Sequence, residues 1–304
     1  MVQVMRARSA VRPHFRPCID ALRAVVLGIP ALWLALFILA PFAIVVVISL
    51  SQASDGQPPF TLAATLDNYR LLAGDDLYAG AYWNAVRIAA TSSVICLLIG
   101  YPMAYAIARA PAEWQGILLA LAILPFWTSF LIRIYAWMTL LRPTGLINTV
   151  LMGAGVIDQP LILVNNVVAV HLGIVYAYLP FMILPLYASL ERMDHALLEA
   201  AADLGCRPWR AFLWVTLPLS APGIIAGLLL VFIPASGEFV IPDLLGGPDT
   251  PMIGRILWTE FFSNRDWPVA AAIAVALTAL LVVPVAVLQH VMAGRDADRA
   301  RRAS

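Results

Sequence analysis

The chain contains no lysine: its nineteen basic side chains are all arginines. A phosphate-binding P-loop needs a lysine at the terminal phosphates and a Schiff base needs a lysine amine, so both chemistries are excluded. Charge of either sign is scarce, 12% of 304 residues, against 62% hydrophobic residues and a mean hydropathy of +0.86. Soluble domains carry roughly a quarter charged residues, so this composition belongs in a membrane. The formal net charge of +1 gives no field for nucleic acid. Cys18, Cys96 and Cys206 are far apart and form no CxxC or Cys/His ligand spacing, and His14, His171, His195 and His290 are equally scattered. Neither a metal site nor a disulfide framework is expected. Cys96, inside an apolar run, reads as a small buried hydrophobe. Without a Ser/His/Asp spacing or paired acids on one helical face, the sequence offers no catalytic residues.

What the chain does have is long apolar runs. Arg6, Arg8, Arg12, Arg16 and Arg23 precede a charge-free run from Ala24 to Ala53. A signal peptide has an apolar core of only ~7–15 residues, so this run reads as a retained membrane helix. Spans are expected at 27–51, 83–108, 117–141, 166–190, 221–244 and 268–292, six in all. Each is long enough for a hydrocarbon core of ~30 Å. They make 27–292 one membrane domain, flanked by an Arg-rich tail at 1–26 and a short tail at 293–304, with a polar loop at 191–220. With the N-terminus inside, the inner segments hold thirteen arginines and the outer loops only Arg70, Arg142, Arg255 and Arg265. That asymmetry places both termini and the 191–220 loop in the cytoplasm. Each span also contains a proline, namely Pro41, Pro102, Pro125, Pro180 with Pro185, Pro234 and Pro284. These remove backbone hydrogen bonds and bend helices, as packing irregularities or as hinges.

The polar loop is the most informative stretch: EAAADLGCRPWRAFLWVTLP, from Glu199 to Pro218. Ala- and Leu-rich Glu191–Leu204 should be helical. Gly205 suits the left-handed residue after a helix end, and Pro208 can open a second helix because its missing N–H is not needed there. Trp209, Phe212, Leu213 and Thr216 recur at helical spacing and give that second helix a largely apolar face. Pro218 should end or kink it.

Glu199, Ala200, Ala201, Gly205, Val215, Leu217 and Pro218 stand at the spacing of the EAA coupling loop, with Val215 where isoleucine is usual. On these residues the chain resembles the permease subunits of bacterial ABC importers. Segments at 97–108, 124–138, 173–187, 231–247 and 251–270 extend the likeness over most of 25–290. They resemble the polyamine branch, above all the first permease subunit of putrescine importers, with spermidine/putrescine permeases near relatives. The resemblance implies an all-α, polytopic fold, the six-helix type I ABC importer membrane domain, in the bacterial inner membrane. It implies a second homologous permease subunit, an ATPase dimer that uses ATP and Mg, and an extracytoplasmic polyamine-binding protein. No cofactor is implied for this chain, which would be a non-catalytic subunit.

The residues themselves suit a cationic cargo. Nine acids against four arginines make the outer loops net negative, which attracts cations. Burying ionisable groups in a membrane is costly, so Glu238, Arg133 and Arg87, expected in the outer third of their spans, are functional candidates. Glu238 either meets the ammonium of a polyamine in an outward-facing vestibule or forms an ion pair with Arg133 or Arg87. Trp127, Tyr135, Tyr176, Tyr178 and Phe239 offer ring faces to a cation, and Asp243 adds a second acid to this candidate pathway. Rival readings are an ABC permease for iron or another small solute, a secondary transporter, and a membrane scaffold.

Overall fold

A backbone crossing hydrocarbon has to satisfy its own hydrogen bonds, and this chain does so with helices almost throughout. The computed structural model describes residues 26–194, 196–248 and 250–303, with side-chain environments up to 286. The Arg-rich segment 1–25, with Cys18 and His14, and also His195 and Asp249, lie outside the described residues. Helix α1 (Val26–Ser49) carries one π turn at Ala35–Leu39. A two-stranded antiparallel ribbon follows, β1 (Gln52–Ala53) paired with β2 (Phe60–Thr61). Next come α2 (Asp67–Gly74), α3 (Asp76–Arg109) and α4 (Ala112–Ile123), whose last turn tightens at Leu124–Trp127. Then follow α5 (Phe130–Leu141), α6 (Leu146–Gly153) and α7 (Val167–Glu191). The loop region holds α8 (Ala196–Asp203) and α9 (Pro208–Leu219). The chain then runs through α10 (Ala221–Ser236), α11 (Val240–Leu245), α12 (Ile253–Trp258) and α13 (Trp267–Ala303).

Among the described residues, α1, α3, α7 and the Trp267–Ala286 part of α13 are long and apolar enough to cross a membrane alone. Two bent pairs raise the count to as many as six. The expected third span, 117–141, is not one straight helix: Ala112–Trp127 and Phe130–Gly153 meet at 84°. The cause is local, because Thr128 and Ser129 take extended backbone between them. The expected fifth span, 221–244, is also interrupted. Its helix stops at Ser236 and restarts at Val240, with Gly237–Phe239 between. Nor is Glu191–Leu204 one helix, since α7 ends at Glu191 and α8 begins at Ala196.

α3, α7 and α10 pack against one another as the central layer, and α1 lies against α13 at the edge. Two buried clusters fill the centre. One, around Ala85, Ile134, Ile174, Ile241 and Ile273, lies toward the ribbon, and the other surrounds Cys96, Met182, Leu186 and Val231. Helix association in lipid gains little from the hydrophobic effect, so close backbone approach through small residues matters. At Gly223 an added Cβ would lie 2.6 Å from the Ser189 Cβ and 2.7 Å from the Pro185 carbonyl oxygen. The C-terminal end of α1 is tied down by Asn68, whose amide donates to the Ser49 and Ser51 carbonyls at 2.9 and 2.8 Å. These carbonyls have no partner within the helix, so the side chain supplies one.

The close approach at Gly223 is testable by thermal unfolding of the purified protein in detergent. Gly223→Ala should lower stability by about 1–3 kcal/mol through overpacking. Gly80→Ala, in the same fold but with nothing within 4 Å of the added carbon, should be neutral or gain up to about 1 kcal/mol. Equal stability of the two variants would contradict this packing.

Candidate functional site

Two features stand out: a helical elbow at one end of the molecule and a buried carboxylate between the central helices. The elbow follows from its sequence almost residue by residue. Gly205 closes α8 with φ +76°, the left-handed region that glycine enters without strain. The Gly205 N–H donates to Ala202 O at 2.8 Å and the Cys206 N–H to Ala201 O at 3.0 Å. This paired closure is the Schellman arrangement, which satisfies the last carbonyls of the helix. Pro208 then stands in the first turn of α9.

The second arm is clamped to α3. Phe212 meets Tyr101 and Tyr105 edge-on, with ring centroids 5.6 and 6.0 Å apart. The Arg109 guanidinium caps the Tyr105 ring at 5.2 Å, and the hydroxyls of Tyr101 and Ser220 lie 2.9 Å apart. Of the apolar face expected for this arm, Phe212 and Thr216 turn inward, while Trp209 and Leu213 remain exposed. The axis bends by 64° between α9 and α10. That break falls at Ser220, two residues beyond Pro218. Glu199, Ala200 and Pro218 are exposed, whereas Ala201, Val215 and Leu217 are half-buried. The elbow therefore shows its acidic, small-residue arm to the surroundings and anchors itself by its aromatic arm.

The carboxylate is Glu238, in the gap between α10 and α11 and only 7% exposed. One of its oxygens accepts the backbone N–H groups of Phe239 and Val240, at 3.1 and 3.0 Å. The other accepts the Tyr178 hydroxyl at 2.5 Å. The first two donors belong to the opening of α11, where N–H groups lack partners and a negative charge is favoured. Glu238 is thereby oriented by three donors, with no cationic side chain paired to it among the described residues.

The expected ion pair between Arg133 and Glu238 is not formed: among the described residues the salt bridges are Arg70–Asp67 and Arg255–Asp243. Arg133, 9% exposed, lays its guanidinium over the rings of Phe126 and Phe130, 4.9 and 5.8 Å from their centroids. Its Nε and Nη1 are buried without hydrogen-bond partners. Three hydrogen bonds already occupy the carboxylate, and aromatic faces hold the guanidinium, which is why the two opposite charges stay apart. They nevertheless line one cavity of about 410 Å³, together with Tyr178, Phe239 and Phe181.

Of the other candidates, Tyr178 and Phe239 join Glu238. Phe239 stacks on Trp258 at 4.5 Å, and Trp258 contacts Phe262 at 4.0 Å, so an aromatic series leads away from the cavity. Tyr176 packs edge-on against Trp137 instead. Trp127 is 84% exposed and Tyr135 is also exposed, and neither lines the cavity. Asp243 pairs with Arg255 at 3.1 Å. Phe126, Phe130 and Phe181 were not anticipated. The turn between α4 and α5 brings the first two under Arg133, and no spacing rule reports that turn.

Comparison with known proteins shows the family and the fold. Residues 2–295 match the family model described as binding-protein-dependent transport system inner membrane component. The spermidine/putrescine transport system permease protein PotB of Haemophilus influenzae is 42% identical over 83% of this chain and 87% of its own length. Its counterpart in Escherichia coli K12 is 41% identical over 82% and 90%. A bacterial ABC transporter that imports the acidic polysaccharide alginate contains a chain of the same fold. The TM-score is 0.62 at 18% identity, covering 91% of this chain and 98% of that one. The predominantly helical fold is thus that of an ABC importer membrane domain, and the chain belongs to the binding-protein-dependent transport system inner membrane component family.

Proposed function

We propose that the chain is the membrane-spanning permease subunit of an ATP-driven importer of polyamines, with putrescine the first candidate cargo and spermidine the second. The observation that carries this reading is Glu238, a nearly buried carboxylate that no basic side chain pairs with among the described residues, facing a cavity with aromatic walls. A linear polyamine supplies ammonium groups for the carboxylate and methylenes for the rings, and ring faces attract cations. The names of the relatives at 41 and 42% identity support the same cargo class.

In this reading the chain holds no nucleotide or metal. The elbow at Glu199–Pro218 is the handle gripped by a separate ATPase dimer working with ATP and Mg, and a second homologous permease completes the pathway. An extracytoplasmic binding protein delivers the cargo; the fold is also found in an alginate transporter solved with a periplasmic protein carrying an alginate pentasaccharide. The arginine distribution supports cytoplasmic termini and a cytoplasmic elbow. A second reading draws on Arg133, whose uncompensated charge suits an anion, and on a molybdenum transport permease of Mycobacterium bovis, 30% identical over 67% of this chain.

Uptake of labelled spermidine and putrescine by the assembled transporter in proteoliposomes separates these readings. Polyamine import with no competition by molybdate is expected; molybdate uptake with no polyamine uptake contradicts the proposal. Glu238→Gln keeps the shape and removes the charge, and should reduce polyamine uptake by at least about tenfold. Gly205→Val forces a β-branched residue into left-handed backbone, at a cost of about 1–3 kcal/mol. It should depress uptake and cargo-stimulated ATP hydrolysis together while the subunit still inserts. Normal coupling in Gly205→Val would show that the closure of α8 is not needed for transmission.

A further inference from the structure

Arg133 is a charge without a counter-charge. Its Nε and Nη1 have no partner, and no salt bridge reaches it among the described residues. The rings of Phe126 and Phe130 hold it in place. Aromatic faces attract a guanidinium without cancelling its charge. A buried cation that its own chain leaves uncompensated acts on whatever shares its cavity, because little water screens it. What shares it is Glu238, across about 410 Å³.

Resting on the polyamine reading, we propose that Arg133 is a specificity-determining residue that works by repulsion: a fixed positive charge that keeps Glu238 from becoming a trap. A permeation site has to bind well enough to admit its cargo and weakly enough to release it. Glu238 alone, a carboxylate oriented by three donors, would hold an ammonium group too long. Arg133 weakens that hold and turns the remaining ammonium groups of a linear polyamine away from Phe126 and Phe130, toward the side of the cavity formed by Phe239, whose ring is backed by Trp258. The residue therefore favours release and disfavours cargo with a second charge close to the first. In general, two unit charges within about 10 Å at an effective dielectric near 20 alter occupancy by roughly tenfold or more.

Concentration-dependent uptake of labelled spermidine by the assembled wild-type, Arg133→Gln and Arg133→Lys transporters tests this. Arg133→Gln should lower the half-saturating concentration by about tenfold or more and lower maximal uptake at the same time. Arg133→Lys, which keeps the charge, should stay close to wild type in both. Arg133→Met serves in place of Arg133→Gln should the amide variant fail to assemble, and the same opposite movement is expected. An unchanged or raised half-saturating concentration in the neutral variants overturns the proposal and leaves Arg133 a packing residue. So does a lysine variant that behaves like the neutral ones. Absence of spermidine uptake by the wild type overturns the polyamine reading itself, and the repulsion proposal with it.

Discussion

A carboxylate placed between membrane helices has to be solvated by something, and the break between α10 and α11 supplies it. Had α10 continued past Ser236, the N–H groups of Phe239 and Val240 would have been used inside the helix. Because the helix stops, they turn onto Glu238, and Tyr178 from α7 completes the shell. Unwound backbone at membrane depth is tolerated where it is buried in protein or lines a cavity. Glu238 and its gap therefore stabilise each other. Loss of the charge leaves the α11 N–H groups without their acceptor, and loss of the gap leaves the charge without its donors.

The elbow and the cavity sit on the same helices, which gives the proposed handle a physical link to the proposed cargo site. α9 is clamped to α3 through Phe212 and Tyr101, and it runs through the bend at Ser220 into α10. α10 in turn ends at Ser236, two residues before Glu238. Close packing at Gly223 and Gly227 joins α10 to α7, the helix that carries Tyr178. A tilt of the elbow thus reaches both sides of the carboxylate through contacts with little slack. Packed interfaces of this kind pass movement between discrete arrangements rather than absorbing it.

How much of this was legible in the sequence depended on what each residue constrains. The elbow was readable because Gly205 and Pro208 dictate backbone angles, and those requirements do not depend on neighbours. The apolar runs were readable because hydrocarbon thickness sets their length. The breaks were not. Pro102, Pro180 and Pro185 lie inside helices that continue through them, and Pro234 lies two residues before the end of α10. The interruptions fall at Thr128–Ser129 and Gly237–Phe239, each three residues after a proline, Pro125 or Pro234, in polar stretches too short to break an apolar run. The Arg133–Glu238 ion pair was a reasonable expectation from opposite charges at similar depth. It failed because backbone donors at a helix opening reached the carboxylate first, and burial by aromatic rings took the guanidinium.

The central claim is that the Gly237–Phe239 gap presents Glu238 to an ammonium group. The most direct measurement is a high-resolution structure of the assembled transporter trapped during turnover with spermidine. The account predicts cargo density with a nitrogen about 2.7–3.2 Å from the Glu238 carboxylate, with the gap between α10 and α11 intact. Cargo density elsewhere, with Glu238 still held by Tyr178 and the two backbone donors, would contradict it.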